Sequence, residues 1–300
     1  MSFENLSGIG FGLGAACCQS VSYLFSRRFV GRAQATPALL LVASHLLMGA
    51  ASGIVLLLLW PRHMPPMTDY VVPLVGAGLF YLVAQFGLFS VLRSVEASRL
   101  APLLGCKVLV LAILAVLFTR QSLHPLQWTA VGLSVVAAWS INEAGGRIPA
   151  RTLALLSLTI LGYCLSDLSI GVLMKRLNGV APSPAMVGTS LTYLLCGVAT
   201  LPFAFRRDLR RAAVWELAAP YAAAWFVAMC LLYACFGLIG VVFGNIVQST
   251  RGVMSVGIGW LTARVGHTHL ESHVARNVFW RRVAGALLMM AAVACYMYGR

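Results

Sequence analysis

The chain has 300 residues, of which 60% are hydrophobic and 10% charged, with a mean hydropathy of +0.87. A soluble domain carries about 25% charged residues, so this composition excludes a water-facing exterior and a separate soluble domain. The formal net charge of +14 would suggest nucleic acid in a soluble protein; here most cations sit in short connections at the ends of apolar runs, with no nucleic-acid motif beside them, so no such partner is expected.

Ten apolar runs follow one another, each near the roughly 20 residues that cross a bilayer. The first, 5–25, carries Gln19 at mid-depth; Glu4 precedes it and Arg27-Arg28 follow it. That order is the reverse of a secretory signal, so a retained span is expected. The second, 38–60, carries His45 and ends at Trp60-Pro61-Arg62. The third, 70–92, holds Tyr81 and Gln85, four residues apart and so on one helix face. The fourth, 96–118, holds Lys107 near its centre, roughly 16 Å deep at about 1.5 Å per residue.

The fifth run, 124–142, has no central charge, and the sixth, 152–174, contains Asp167. An acid inside a span is a functional candidate: a proton carrier, a partner for a substrate ammonium, or a fixed counter-ion for a buried cation. The seventh, 184–205, carries Thr192 and Tyr193, and the eighth, 213–236, carries Trp225. The ninth, 238–262, follows so closely that Gly237 and Gly240 are expected to supply a tight turn. Its Asn245, Gln248 and Arg251, spaced by three, make a polar stripe that must face the bundle interior. A charge at a span centre costs about 2.5–3.5 kcal/mol on insertion, and the chain bears this at both Lys107 and Arg251.

Between the ninth run and the tenth, 281–299, lies His267-Thr-His269-Leu-Glu271-Ser-His273. Its i,i+4 spacings could hold Zn²⁺ or Ni²⁺, but a solvated loop or interfacial helix is the plainer reading, since Trp280, Arg281 and Arg282 follow. All eight cysteines fall in apolar stretches without a CxxC, as small buried hydrophobes do. There is no Walker A motif, dinucleotide loop or nucleophile–base pair, so neither an enzyme nor a cofactor is expected.

The two halves are related by a slowly drifting offset. At 148, Gly14 falls on Gly162, Gln19 on Asp167 and Arg27-Arg28 on Lys175-Arg176. At 147, Pro37 falls on Pro184 and His45 on Thr192; at 144, Tyr81 falls on Trp225 and Lys107 on Arg251. After an insertion, Gly132 falls on Gly285 at 153. The expected fold is therefore an all-α membrane protein of ten transmembrane helices in two five-helix repeats, 1–148 and 149–300, with an insertion at 263–280. An odd number of spans per repeat makes the repeats inverted. Fifteen loop cations lie in the odd-numbered connections and five in the even-numbered ones and the C-terminus, which puts both termini on the non-cytoplasmic side.

Five plus five spans, short loops and the stretch Val95-Glu-Ala-Ser-Arg-Leu-Ala-Pro102 leading into a Lys-bearing fourth span resemble the drug/metabolite transporter superfamily, in its EamA-type branch. The resemblance implies an exporter of small metabolites in the bacterial inner membrane. Relatives in plastids and the Golgi bind phosphate groups with cations on the same two spans, a pattern that Lys107 and Arg251 match.

The reading that follows is a secondary transporter of a small anionic or zwitterionic metabolite working by alternating access. Lys107 and Arg251 would clamp the anion and Asp167 would balance them. Gln19, His45, Tyr81, Gln85, Tyr193, Trp225, Asn245 and Gln248 would line the site. The bilayer is the surrounding partner, a proton is a candidate coupling ion, and monomer and homodimer both stay open. A transporter of a lipid-linked phosphate or phospholipid headgroup would use the same cations. A membrane metal sensor or interaction protein would use the 267–273 segment, with His267, His269, Glu271 and His273 as weak ligand candidates.

Overall fold

The computed structural model describes residues 3–32, 36–92, 95, 100, 104, 107–119, 122–142, 149–264 and 276–299. Among them every regular element is a helix. In chain order these are α1 (Phe3–Arg32), α2 (Pro37–Leu59), α3 (Met67–Val91), α4 (Lys107–Thr119), α5 (Pro125–Asn142), α6 (Ala150–Arg176), α7 (Pro184–Thr200), α8 (Ala212–Ile239), α9 (Val241–Gln248), α10 (Arg251–Arg264) and α11 (Arg276–Tyr298). Two 3-10 turns, Leu201–Phe203 and Arg207–Arg210, join α7 to α8.

Six of the helical stretches are long and apolar enough to cross a membrane: Glu4–Gly31, Pro37–Leu59, Met67–Val91, Ala150–Arg176, Pro184–Phe203 and Ala212–Ile239. Their outward faces carry Leu57, Leu58 and Val72, which only a lipid surround accommodates in such numbers. The fourth expected span lies partly outside the described residues, and α5 is a shorter apolar helix over Pro125–Ala137.

The helix ends follow from the sequence. Pro37 and Pro184 each open a helix at a position where a missing N–H costs nothing. The preceding Thr36 and Ser183 cap those helices, accepting from Leu39 N at 3.3 Å and Met186 N at 3.4 Å. Of the two glycines expected to turn the chain after the eighth run, Gly237 stays helical. Gly240 alone makes the turn, at φ +81°, where a Cβ would be strained.

The ninth run is not one helix. It breaks at Ser249-Thr250, where Thr250 N donates to Val247 O and Gly252 N to Ser249 O, three residues back rather than four. Arg251 therefore heads α10.

The bundle is assembled from pairs. α1 packs most extensively on α8, α3 on α6, α5 on α11 and α2 on α7. The α2–α7 crossing is a backbone contact at Gly49 and Gly197. A Cβ on either glycine would lie 2.8 Å from the Cα of the other. Only glycine permits that approach.

Candidate functional site

The centre of the bundle holds polar side chains where helices with lipid-facing exteriors should be driest. Gln19, Tyr81, Lys107, Asp167, Trp225, Asn245, Gln248 and Arg251 are each at most 4% exposed. They come from seven helices and, apart from the two aromatics, form one hydrogen-bonded chain.

Lys107 Nζ sits 2.9 Å from Asp167 Oδ2 and donates to Gln248 Oε1 at 3.1 Å. Asp167 Oδ2 also accepts from Asn245 Nδ2 at 2.9 Å. Gln248 Nε2 donates to Gln19 Oε1 at 3.1 Å, and Arg251 Nη1 donates to the same oxygen at 3.1 Å. Two donors on one oxygen fix the orientation of the Gln19 amide, and its Nε2 then faces Met229 Sδ at 3.7 Å. The Tyr163 ring lies under Lys107 Nζ, 5.6 Å from its centroid. Lys107 is thus held by a carboxylate, an amide and a ring face.

Arg251 has poorer company. Its remaining bond runs from Nη2 to Leu104 O at 3.4 Å, and its Nε has no partner among the described residues. It makes no ion pair among them. Among the described residues, two buried cations against one buried carboxylate leave one positive charge, and the geometry assigns it to Arg251. Arg251 is also the first residue of α10, after the break at Ser249-Thr250, and the dipole of that helix adds positive potential there.

The aromatic residues form the next layer. Tyr23, Tyr81, Tyr163 and Trp225 line a central cavity together with Gln19, Lys107, Asp167, Gln248 and Arg251. Its volume is about 20 Å³, room for a water molecule and no metabolite. Two predicted residues stand behind this lining. Tyr193 accepts from Trp225 Nε1 at 2.8 Å, and His45 stacks on Tyr193 with centroids 6.2 Å apart, its Nδ1 2.6 Å from Leu41 O. Gln85 lies elsewhere: it accepts from Tyr163 Oη at 2.5 Å and donates to Tyr221 Oη, and Phe89 packs against Tyr221. This cluster lies toward the end of the bundle where α3 stops.

The opposite end is open. A vestibule of about 1030 Å³ is walled by Phe11, Gln127, Lys175, Pro184, Leu238 and Tyr296 among others, most of them near helix ends. Its floor includes Leu168 and Val241. Leu168 adjoins Asp167, and the Val241 carbonyl accepts from Asn245 Nδ2 at 3.0 Å.

Sequence reasoning missed Tyr23, Tyr163 and Tyr221. The signal was present: each lies four residues from a polar or aromatic candidate, Gln19, Asp167 and Trp225 respectively, and so shares its face. His267, His269, Glu271 and His273 lie outside the described residues.

A helical bundle with an apolar exterior and a buried charged centre defines an integral membrane protein built around a polar site. Residues 6–142 match the EamA-like transporter family, a likeness in keeping with the drug/metabolite transporter superfamily. A solved structure described as "Crystal structure of protein" is similar at a TM-score of 0.61 and 14% identity, over 94% of this chain and 95% of its own. At that identity the likeness concerns the fold alone. No curated protein matches.

Proposed function

We propose that the protein is a secondary transporter that carries a small organic anion, or a zwitterion held by its anionic group, through the centre of the bundle. The observation that carries the reading is Arg251: a buried guanidinium with neutral acceptors and an unpartnered Nε, beside a Lys107 already neutralised by Asp167. A carboxylate or phosphate would replace Gln19 Oε1 and Leu104 O with a charged acceptor, and such bonds are about twice as strong as neutral ones.

The proposed architecture is ten spans in two inverted five-helix halves, divided near residue 148. Pairing supports it: exchanging the halves turns the α1–α8 contact into α6–α3, and α2–α7 into itself. So does the glycine crossing, since Gly49 and Gly197 are 148 apart and His45 stacks on Tyr193 at that same offset. The loop-charge bias supports a topology with both termini, and with them the vestibule, on the non-cytoplasmic side. Closing the vestibule while the Gln85–Tyr163–Tyr221 cluster opens would complete alternating access, and export is the direction that the family resemblance favours.

The test is a thermal-shift screen of purified protein against anionic, zwitterionic and cationic metabolites, since a ligand of the native state raises its melting temperature by mass action. Anionic or zwitterionic compounds stabilise the wild type and not Arg251→Gln. Stabilisation by cations alone, or equal stabilisation of both proteins, would end this reading.

A further inference from the structure

The connection between α7 and α8 is built as a platform. Its two 3-10 turns both pack against α2, and each also packs on the helix it adjoins. Leu209 is buried in the bundle, and its carbonyl accepts from Trp215 Nε1 at 2.7 Å. On the outer side four guanidinium groups, Arg206, Arg207, Arg210 and Arg211, are all exposed. Their one acidic neighbour, Asp208, reaches Arg211 only at 3.8 Å with both side chains largely in solvent, so it neutralises little. Directly before them Phe203 and Phe205 point outward, 52% and 86% exposed.

The position decides what this surface meets. The segment joins the apolar stretches Pro184–Phe203 and Ala212–Ile239, so it lies where hydrocarbon gives way to headgroups. Exposed phenylalanines there enter the acyl region, and exposed arginines meet phosphates. We propose that this platform docks anionic phospholipid headgroups. The guanidinium fork matches a phosphate diester in two-point geometry. A zwitterionic headgroup brings an ammonium that the same four cations repel, so the surface selects lipids with net negative charge. The platform lies apart from the Lys107–Arg251 network and stands whether or not that network binds an anion.

The experiment is native mass spectrometry of the full chain released from nanodiscs of phosphatidylcholine mixed with phosphatidylglycerol. Wild type is expected to keep phosphatidylglycerol at collision energies that strip phosphatidylcholine. Retention should fall by roughly fivefold for each Arg replaced, in Arg206→Gln/Arg207→Gln, in Arg210→Gln/Arg211→Gln and in all four together. Phe203→Ser/Phe205→Ser, which leaves the charge intact and guards against a quadruple variant that fails to insert, should lower retention of both lipids. Equal retention of the two lipids by the wild type, or unchanged phosphatidylglycerol retention in both double Arg variants, would overturn the proposal.

Discussion

The central network holds two buried cations, each set against a polar side chain of another helix, and the two partners differ in charge. In one, Lys107 of α4 meets Asp167 of α6. In the other, Arg251 at the head of α10 meets Gln19 of α1. The offset of 148 puts Gln19 against Asp167 and that of 144 puts Lys107 against Arg251, so an amide stands where the other half has a carboxylate. The exchange keeps hydrogen bonding and removes a charge. A buried cation opposite an acid is a closed pair, whereas one opposite an amide still has most of its electrostatic demand unmet. In the function proposed above, the closed pair holds the structure and the open one binds the anion.

Breaking the closed pair should have the largest effect. Asp167→Asn leaves Lys107 buried against neutral groups, a loss of about 3–5 kcal/mol for an unpaired buried charge. Melting temperature in detergent is expected to drop sharply, and adding Lys107→Met should recover much of it. Arg251→Gln acts on the open half. Anion binding should weaken by about 2–5 kcal/mol, the usual cost of truncating one partner of a buried charged contact, with little change in melting temperature. Equal destabilisation by Asp167→Asn and Arg251→Gln would show that the halves do not differ in the way described.

Gly49→Ala tests the crossing between the halves. Its Cβ would lie 2.8 Å from Gly197 Cα, so α2 and α7 must separate. A cost of about 1–3 kcal/mol is expected, measured as thermal stability. The smallest effect is expected at His267, His269 and His273. Replacing all three with Ala should leave binding unchanged and remove no stoichiometric zinc, because such clusters in loops are more often solvated than metallated.

Much of this site was legible in the sequence, and the limits were physical. Spacing along one helix fixes which side chains share a face, so Asn245, Gln248 and Arg251 emerged as a stripe. Depth in an apolar run marks cost, so Lys107, Asp167 and Arg251 stood out. Neither rule says which helix lies opposite which. The choice of Lys107 over Arg251 as the partner of Asp167 depends on how α4, α6 and α10 cross, as does the placing of Gln85 away from the centre with Tyr163 and Tyr221. The break at Ser249-Thr250 was hidden for another reason: neither Gly nor Pro marks it. The Gly49–Gly197 contact needed both partners to be seen at once, since a glycine in an apolar helix is unremarkable alone.

The most direct test moves the charge from one half to the other. Gln19→Glu sets a carboxylate against Arg251 and should abolish the stabilisation that anionic metabolites give the wild type, while the protein stays folded. Adding Asp167→Asn frees Lys107 instead. Anion-dependent stabilisation should then return in Gln19→Glu/Asp167→Asn, now sensitive to Lys107→Met rather than to Arg251→Gln. Undiminished anion stabilisation of Gln19→Glu alone would contradict the account.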